Sequence, residues 1–179
     1  RGETAFARIA TAVSKYWICK RAPLFAAEAL ECLGGAGYIE DGPMPRLFRE
    51  SPLNGIWEGS GNVMALDVLR AAAREPESVA ALLTEIELAR GADPRLDRAI
   101  DDLHAELADP DGVEVRARRI VERAALALQG SLLVRNAPAA VADAFCASRL
   151  ARDAGLALGT LPAGVAAAEI VSRAWPPAA

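Results

Sequence analysis

Apolar side chains recur at helical spacing from the start of the chain. Between residues 4 and 33 they are three, four or seven positions apart: Phe6, Ile9, Val13, Trp17, Leu24, Ala27, Leu30 and Leu33. Residues with this spacing share one side of a helix. Pro23 lies within the pattern and the pair Gly34-Gly35 ends it, since glycine commonly terminates helices. We therefore predict a long first helix over residues 4–33, bent near Pro23.

Residues 34–59 interrupt the helical pattern. Glycine and proline are frequent in this stretch, which predicts an irregular segment with one helical turn over residues 46–50. Its apolar side chains argue against disorder. A loop of this length in a compact domain is usually functional.

The helical pattern resumes after this segment. Ser60 is a plausible N-cap for a helix over residues 60–74, which Pro76 ends. We expect its buried side to consist of Val63, Leu66, Val68 and Leu69. Further helices are predicted over residues 77–90, 94–109, 113–135, 138–154 and 163–174. No strand pattern or fixed-period repeat appears, so the predicted fold class is an all-α helical bundle.

The composition supports this fold and narrows the function. Hydrophobic residues make up 53% of the 179 residues and aromatic residues only 5%, which favours helices in a globular chain. Twenty basic and 24 acidic residues give a net charge of −4. That balance disfavours a globally basic nucleic-acid binder but leaves room for a local basic face. No apolar run approaches ~18 residues, so no membrane span is predicted.

Histidine and cysteine are too sparse for several kinds of catalytic site. His104 is the single histidine, and Cys19, Cys32 and Cys146 are widely separated. This set excludes a zinc site and a histidine-based triad. We expect His104 to be exposed and structural, the three thiols to be reduced and in the core, and the protein to be cytoplasmic.

One stretch carries candidate chemistry. Glu58 lies between Trp57 and Gly59, just before a predicted helix N-terminus. Glycine lets the backbone approach a ligand closely, a helix N-terminus attracts anions, and a carboxylate beside an indole is partly desolvated and a stronger base. The alternative interpretation is that Glu58 only stabilises the helix dipole. Both interpretations remain open on spacing alone.

Two motifs in this region resemble segments of the acyl-CoA dehydrogenase family: Leu33-Gly-Gly-Ala-Gly-Tyr38 and Ile56-Trp-Glu-Gly-Ser-Gly-Asn62. Lys15-Tyr-Trp-Ile-Cys-Lys-Arg21 and Pro45-Arg-Leu-Phe-Arg-Glu50 are similar to the adaptive-response AidB-like branch. The resemblance implies that residues 1–75 form the C-terminal helical domain of the family. Residues 76–179 would be the helical extension of this branch. The N-terminal helical and β domains would lie upstream, outside this chain.

The resemblance also implies residue roles and a cofactor. Glu58 matches the catalytic base, and Trp57 and Gly59 match positions beside the substrate acyl-CoA. The positions that match contacts to FAD are Gly34, Gly35, Ser60 and Asn62, of which the glycine pair would meet the FAD of a neighbouring subunit. Glu31 stands where many family members carry glutamine. A homotetramer is implied as well.

Arginines in the extension suggest a second ligand. Arg116, Arg119 and Arg123 share one face of the predicted 113–135 helix, opposite a predicted apolar face of Val121, Ala125, Leu128 and Leu132. Arg149 and Arg152 form a second pair. In the AidB-like branch the extension is associated with double-stranded DNA, and clustered arginine suits phosphate binding. The alternative is a solvated or salt-bridged arginine stripe.

Three functions follow from these features. The first is an FAD-dependent acyl-CoA dehydrogenase that uses Glu58 as its base. The second is an AidB-like, DNA-binding flavoprotein of the alkylation response with weak dehydrogenase activity. The third is an oligomerising bundle without activity, because this chain alone would supply only one wall of the flavin site.

Overall fold

The computed structural model describes residues 2–151 and 155–175, and these residues contain helices but no strand. The all-α prediction is confirmed. The α-helices are α1 Gly2–Cys32, α2 Gly35–Tyr38, α3 Met44–Glu50, α4 Gly61–Arg74, α5 Pro76–Glu87, α6 Pro94–Ala108, α7 Val113–Asn136, α8 Ala139–Phe145 and α9 Ala167–Ala174. A 3-10 helix spans Ser51–Gly55, and a π-helical turn spans Cys146–Leu150.

Helix α1 is continuous through Pro23. Proline has no N–H, so the carbonyl of Cys19, four residues earlier, loses its usual helical donor. The 3-10 helix packs beside this carbonyl, because a Cβ added to Gly55 would lie 3.8 Å from the Cys19 oxygen. The proline therefore occurs where another element covers the helix.

The segment 34–59 is more helical than its composition predicts. The helical turn expected over residues 46–50 is confirmed, but α3 begins earlier, at Met44. Proline occupies the first turn of both α3 and the 3-10 helix, where its missing N–H costs nothing and its fixed φ favours the helix. The expectation of an irregular segment was wrong here because these prolines start helices.

Two later helices are shorter than predicted. Helix α8 ends at Phe145 and continues as the π-helical turn, while residues 152–154 lie outside the described part of the chain. Helix α9 begins at Ala167 rather than at residue 163. Gly164 has a φ of 88°, a left-handed value that a right-handed helix excludes.

The chain divides into two compact units. One comprises residues 1–81 and 110–125, and the other comprises residues 82–109 and 126–179. Helices α5 and α7 therefore contribute residues to both. The assignment of 1–75 and 76–179 as separate domains remains a prediction.

The core of the first unit brings α1, α4 and the first half of α7 together. Small and branched side chains fill it: Ile9, Ala12, Val13, Ala65, Val68, Ala71, Ala117, Ile120 and Val121. The Arg8 guanidinium binds both carboxylate oxygens of Asp67, at 2.9 and 3.2 Å, and so ties α1 to α4.

The expected buried side of α4 needs correction. Val68 is buried, but Leu66 and Leu69 are half-buried and Val63 is 53% exposed. The packed stripe instead runs through Ala65, Val68 and Ala71. Val63 precedes Ala65 by two residues, which places it about 200° around the helix, on the far side.

The second unit has its own apolar core, formed by Leu82, Ile86, Ala89, Leu96, Ile100, Leu103, Ala127, Leu128 and Cys146. Asp93 caps α6 by accepting the Arg95 N–H at 2.7 Å. The Arg95 guanidinium then reaches Asp143 on α8, also at 2.7 Å. One arginine thus connects the start of α6 to α8.

All three cysteines are free thiols, but the expectation that they lie in the core holds for only one of them. Cys146 is buried, and burial raises its pKa to about 11. Cys19 is half-buried and Cys32 is exposed at the end of α1, so these two do not belong to the core.

Leu132 is 41% exposed, although it was expected on the apolar face of α7. None of the helices formed by residues 2–151 and 155–175 is long and apolar enough to cross a membrane.

A cluster of ion pairs links α5 to α6. His104 is exposed, as expected, and its Nε2 lies 2.8 Å from the carboxylate of Glu87. Arg90 also binds Glu87, at 2.8 Å, and reaches Asp101 at 2.7 Å. These contacts lower the pKa of Glu87 from 4.5 to about 2, and the hydrogen bond from Arg90 has the largest effect.

This cluster predicts a pH-dependent stability. Because the folded state lowers the pKa of Glu87, its stabilisation is complete above the unfolded value of 4.5 and is lost as the pH falls towards the folded value. Urea unfolding should show Glu87→Gln less stable than wild type near about pH 7. The difference should shrink as the pH falls below 4.5, and the two should converge only below about pH 2. Glu31→Gln, which removes an exposed carboxylate at the end of α1, should follow the wild-type curve. A Glu87→Gln difference that stays constant with pH would contradict the assignment.

Candidate functional site

The segment between the 3-10 helix and α4 carries four of the seven residues predicted to contact flavin or substrate: Trp57, Glu58, Gly59 and Ser60. The backbone N–H of Trp57 donates to the Leu53 carbonyl at 3.2 Å. The indole N–H of Trp57 donates to the Asn54 side-chain oxygen at 3.1 Å. The 3-10 helix therefore fixes both the backbone and the ring of Trp57, directly before Glu58.

Glu58 has an unusual backbone conformation. Its φ is 53°, and among the described residues no other non-glycine residue has a positive φ. The left-handed region costs an L-residue about 1 kcal/mol or more, and such residues persist only where their surroundings impose the conformation. The following residue, Gly59, has a φ of 108°, which glycine adopts freely. The turn that carries the Glu58 carboxylate is therefore held in a conformation that glutamate does not adopt by preference.

The side chain of Glu58 is exposed, which corrects the expectation of a partly desolvated carboxylate. The neighbouring indole of Trp57 is itself 56% exposed. None of the described residues covers Trp57 and Glu58, and the indole alone does not shield the carboxylate from water.

Lys15 of α1 binds the backbone on both sides of Glu58. Its ammonium donates to the carbonyl of Trp57 at 2.8 Å and to the carbonyl of Gly59 at 2.5 Å. Sequence reasoning did not single out this residue. The available signal was its position, one residue before the buried Tyr16, which puts Lys15 at the edge of the packed face of α1.

The N-terminus of α4 faces two more cationic side chains. Ser60 precedes the helix in extended backbone, without a capping bond from its hydroxyl. Gly61 is buried, and a Cβ there would collide with the Lys20 side chain and lie 3.4 Å from the Arg118 guanidinium. The positive end of the helix dipole and these cations together favour an anionic group beside Ser60 and Asn62.

The glycine pair lies at the other end of α1. Gly34 has a φ of 58°, and a Cβ on either Gly34 or Gly35 would meet no atom within 4 Å. The backbone there is open to close approach by another group. From Lys15 to the last residue of α1 the helix is about 25 Å long, so the structure does not bring the glycine pair and Glu58 together. Glu31 is exposed beside the pair.

An apolar groove opens between α1, α2 and α3. It has a volume of about 470 Å³ and is lined by Leu30, Tyr38, Ile39, Pro45 and Phe48, with the Glu40–Arg49 ion pair at its rim. Tyr38 is 76% exposed, and Leu24, Phe25 and Leu33 on α1 are also more than half exposed. This surface is too apolar to be an ordinary solvated face.

The arginines of α7 contact neighbouring groups within the chain. Arg116 donates to the Asp111 carbonyl at 2.9 Å, and Arg119 and Arg123 also make contacts. Arg149 belongs to the π-helical turn in the other unit, whereas Arg152 lies outside the described residues. Their role as a phosphate-binding surface remains a prediction. Within residues 2–151 and 155–175 no His, Cys, Asp and Glu cluster could hold a metal ion.

Comparison with known proteins identifies the family. Residues 1–73 match the acyl-CoA dehydrogenase C-terminal domain. The chain carries a C-terminal domain of the acyl-CoA dehydrogenase family. The putative acyl-CoA dehydrogenase AidB of Escherichia coli strain K12 is 41% identical over 158 residues, which cover 87% of this chain and 28% of AidB. Acyl-CoA dehydrogenase family member 11 of Caenorhabditis elegans is 44% identical over 68 residues, 38% of this chain and 11% of that protein.

Two solved structures have the same fold over most of this chain. Caenorhabditis elegans ACDH-11 in complex with C11-CoA superposes with a TM-score of 0.65 and 28% identity, over 84% of this chain and 28% of that one. The apo form of Bd2924 gives a TM-score of 0.62 and 29% identity, over 76% and 25%. The resemblance to the family and to AidB is thus confirmed. The chain spans about a quarter of the length of these proteins.

The turn at Glu58 depends on the glycine that follows it. Gly59→Ala would place a side chain at a φ of 108° with its Cβ 2.7 Å from the Met64 sulfur. We expect a loss of about 1–3 kcal/mol in the free energy of unfolding, measured by urea titration. Gly42→Ala is the matched control, because its Cβ would meet only one carbonyl, at 3.9 Å. Equal stabilities of the two variants would show that the turn is not constrained.

Proposed function

We propose that the chain is the C-terminal part of an FAD-dependent acyl-CoA dehydrogenase in which Glu58 is the catalytic base. The left-handed backbone of Glu58, beside a close-approach glycine, carries the proposal. An exposed glutamate could stabilise the dipole of α4 from an ordinary backbone conformation, so the strained, left-handed backbone of Glu58 is not explained by that role. Strain of this kind clusters at active sites. It therefore favours the base over the purely structural interpretation.

The proposed reaction removes two hydrogens from adjacent carbons of an acyl-CoA thioester. The Glu58 carboxylate takes a proton from Cα, and the electron pair of that C–H bond forms the new Cα–Cβ double bond. Bound FAD would accept the hydride that leaves Cβ. The backbone N–H of Glu58 would donate to the thioester carbonyl, which stabilises the negative charge that develops on its oxygen.

The residues of this chain fit one side of an FAD site. Ser60 and Asn62 lie at the α4 N-terminus, where the helix dipole, Lys20 and Arg118 favour a pyrophosphate. At the far end of α1, the backbone of Gly34 and Gly35 is accessible to close approach by a ligand. Because about 25 Å of helix separates these two places, the glycine pair fits the FAD of a neighbouring subunit better than the same one.

The substrate class and assembly follow from the same comparison. The solved ACDH-11 complex contains C11-CoA, which supports an acyl-CoA substrate beside Trp57 and Gly59. The exposed apolar surface of α1, α2 and α3 supports a homo-oligomer, a tetramer by family resemblance. The free thiols Cys19, Cys32 and Cys146 support a cytoplasmic location. On its own this chain would be inactive, since it offers a single wall to the flavin.

A second candidate function is DNA binding through the arginines of the extension. Its support is the shared α7 face of Arg116, Arg119 and Arg123, which would meet successive phosphates, with Arg149 and Arg152 as further candidates. The long alignment with AidB extends over this region. The binding would be independent of sequence, because phosphate contacts carry no base information.

Replacing the base tests the proposed dehydrogenase. Glu58→Gln keeps the shape and removes the proton acceptor, so flavin reduction by acyl-CoA in the full-length protein should slow by about 10²–10⁴-fold. Stopped-flow absorbance of the oxidised flavin measures this rate. Glu77→Gln, an exposed change on α5, should react at the wild-type rate. If Glu58→Gln also reacts at the wild-type rate, the base is another residue.

A salt titration tests DNA binding. Each arginine that contacts a phosphate should contribute about one unit to the slope of log affinity against log salt, so replacing Arg116, Arg119 and Arg123 by alanine should lower it by about three. The charge-matched control replaces the exposed arginines Arg46, Arg74 and Arg173 and should change the slope little. Equal slopes for both triple variants would exclude this face of α7 as the DNA site.

A further inference from the structure

We propose that Lys15 is a positioning residue for the catalytic base. Its ammonium bridges two backbone carbonyls, one on each side of Glu58, and so holds that residue in its left-handed conformation. The inference rests on the proposed function of Glu58 and assigns to α1 a part in the reaction.

The bond to the Trp57 carbonyl sets the direction of the Glu58 N–H. In a trans peptide the C=O and the N–H of the next residue point in opposite directions. Because Lys15 draws the Trp57 oxygen towards α1, the N–H of Glu58 points away from α1. This N–H is the group proposed to donate to the thioester carbonyl. Hydrogen bonds in series polarise one another, so the Lys15 contact also makes it a stronger donor.

The bond to the Gly59 carbonyl fixes the other side of the turn. Glu58 and Gly59 both have positive φ, a combination that a chain does not keep by its own preference. A single ammonium that donates to both the Trp57 and the Gly59 carbonyls closes a ring around Glu58 and Gly59. Bonds from a charged donor are stronger than neutral ones, which suits them to oppose the backbone preference.

Lysine suits this position because of where α1 holds it. Val13 and Tyr16 are buried on either side along the helix, so the stem of Lys15 starts from a fixed backbone. The ammonium is a compact charge with three donors, and two of them serve the carbonyls. Lys15 itself is half-buried, which limits competition from water.

Kinetics of the full-length flavoprotein test the proposal. Lys15→Met, which keeps the stem and removes the donors, should slow flavin reduction by acyl-CoA by about ten- to a hundredfold, as expected for a misplaced catalytic group. Lys15→Arg, which can span both carbonyls, should recover most of the rate. Arg74→Met is the control: it removes one exposed cation on α4, about 20 Å of helix from Gly61, and should react as wild type.

A double variant separates positioning from general damage. Because Glu58→Gln removes the base but keeps the backbone N–H that Lys15 orients, Lys15→Met should slow the Glu58→Gln protein clearly less than it slows the wild type. Losses that multiply in the double variant would overturn the proposal, as would a wild-type rate for Lys15→Met. If Glu58→Gln alone keeps the wild-type rate, the proposed base is wrong, whatever Lys15 does.

Hydrogen exchange supplies a readout that does not depend on turnover, and Lys15→Gln supplies a milder variant if Lys15→Met fails to fold. Amide exchange across residues 56–60 should accelerate in Lys15→Gln at least about tenfold, while exchange within α4 stays unchanged. Unchanged exchange across residues 56–60 would overturn the inference. Faster exchange throughout α4 would do so too, because Lys15 would then stabilise the fold rather than the turn.

Discussion

The close packing of α1 against α4 is the constraint on which the rest of the first unit depends. Ile9 and Val13 of α1 and Ala65 and Ala71 of α4 are all buried, and the bidentate Arg8–Asp67 pair ties the two helices together. Because α4 begins directly after the turn at Glu58, their packing also decides which part of α1 faces that turn. A shift of α1 by one helical turn would move Lys15 away from the turn at Glu58. The packing of the core therefore also determines the geometry of the site.

Much of the fold was accessible from the sequence because it follows from helical periodicity and from strong end signals. Gly34-Gly35 ends α1 and Pro76 follows α4, close to the predicted positions. The segment 34–59 was harder, since proline can either break a helix or begin one, and only the tertiary context decides. The same limit applies to Val63, where hydrophobicity alone did not reveal which face of α4 meets α1.

For the candidate site, the sequence supplied a hypothesis about which residues act but did not reveal the geometry around them. Family resemblance pointed to Glu58, yet the expected desolvation by Trp57 is absent from this chain, because an exposed indole leaves the carboxylate in water. What the structure shows instead is conformational: a forced backbone and a long-range contact from Lys15. A contact across 42 residues of sequence has no local signature, so no reasoning on spacing could have found it.

The left-handed residue at position 58 also limits how this protein can change. Glycine would relax the backbone there, so selection for folding alone would favour a side chain with no chemistry. Branched residues are disfavoured by the same backbone, and asparagine and aspartate, which tolerate it, are one methylene shorter than glutamate. Few single replacements can therefore keep both the turn and the reach of its carboxylate. For the proposed base, stability and chemistry thus oppose each other at one residue, and the rest of the fold must compensate for the difference.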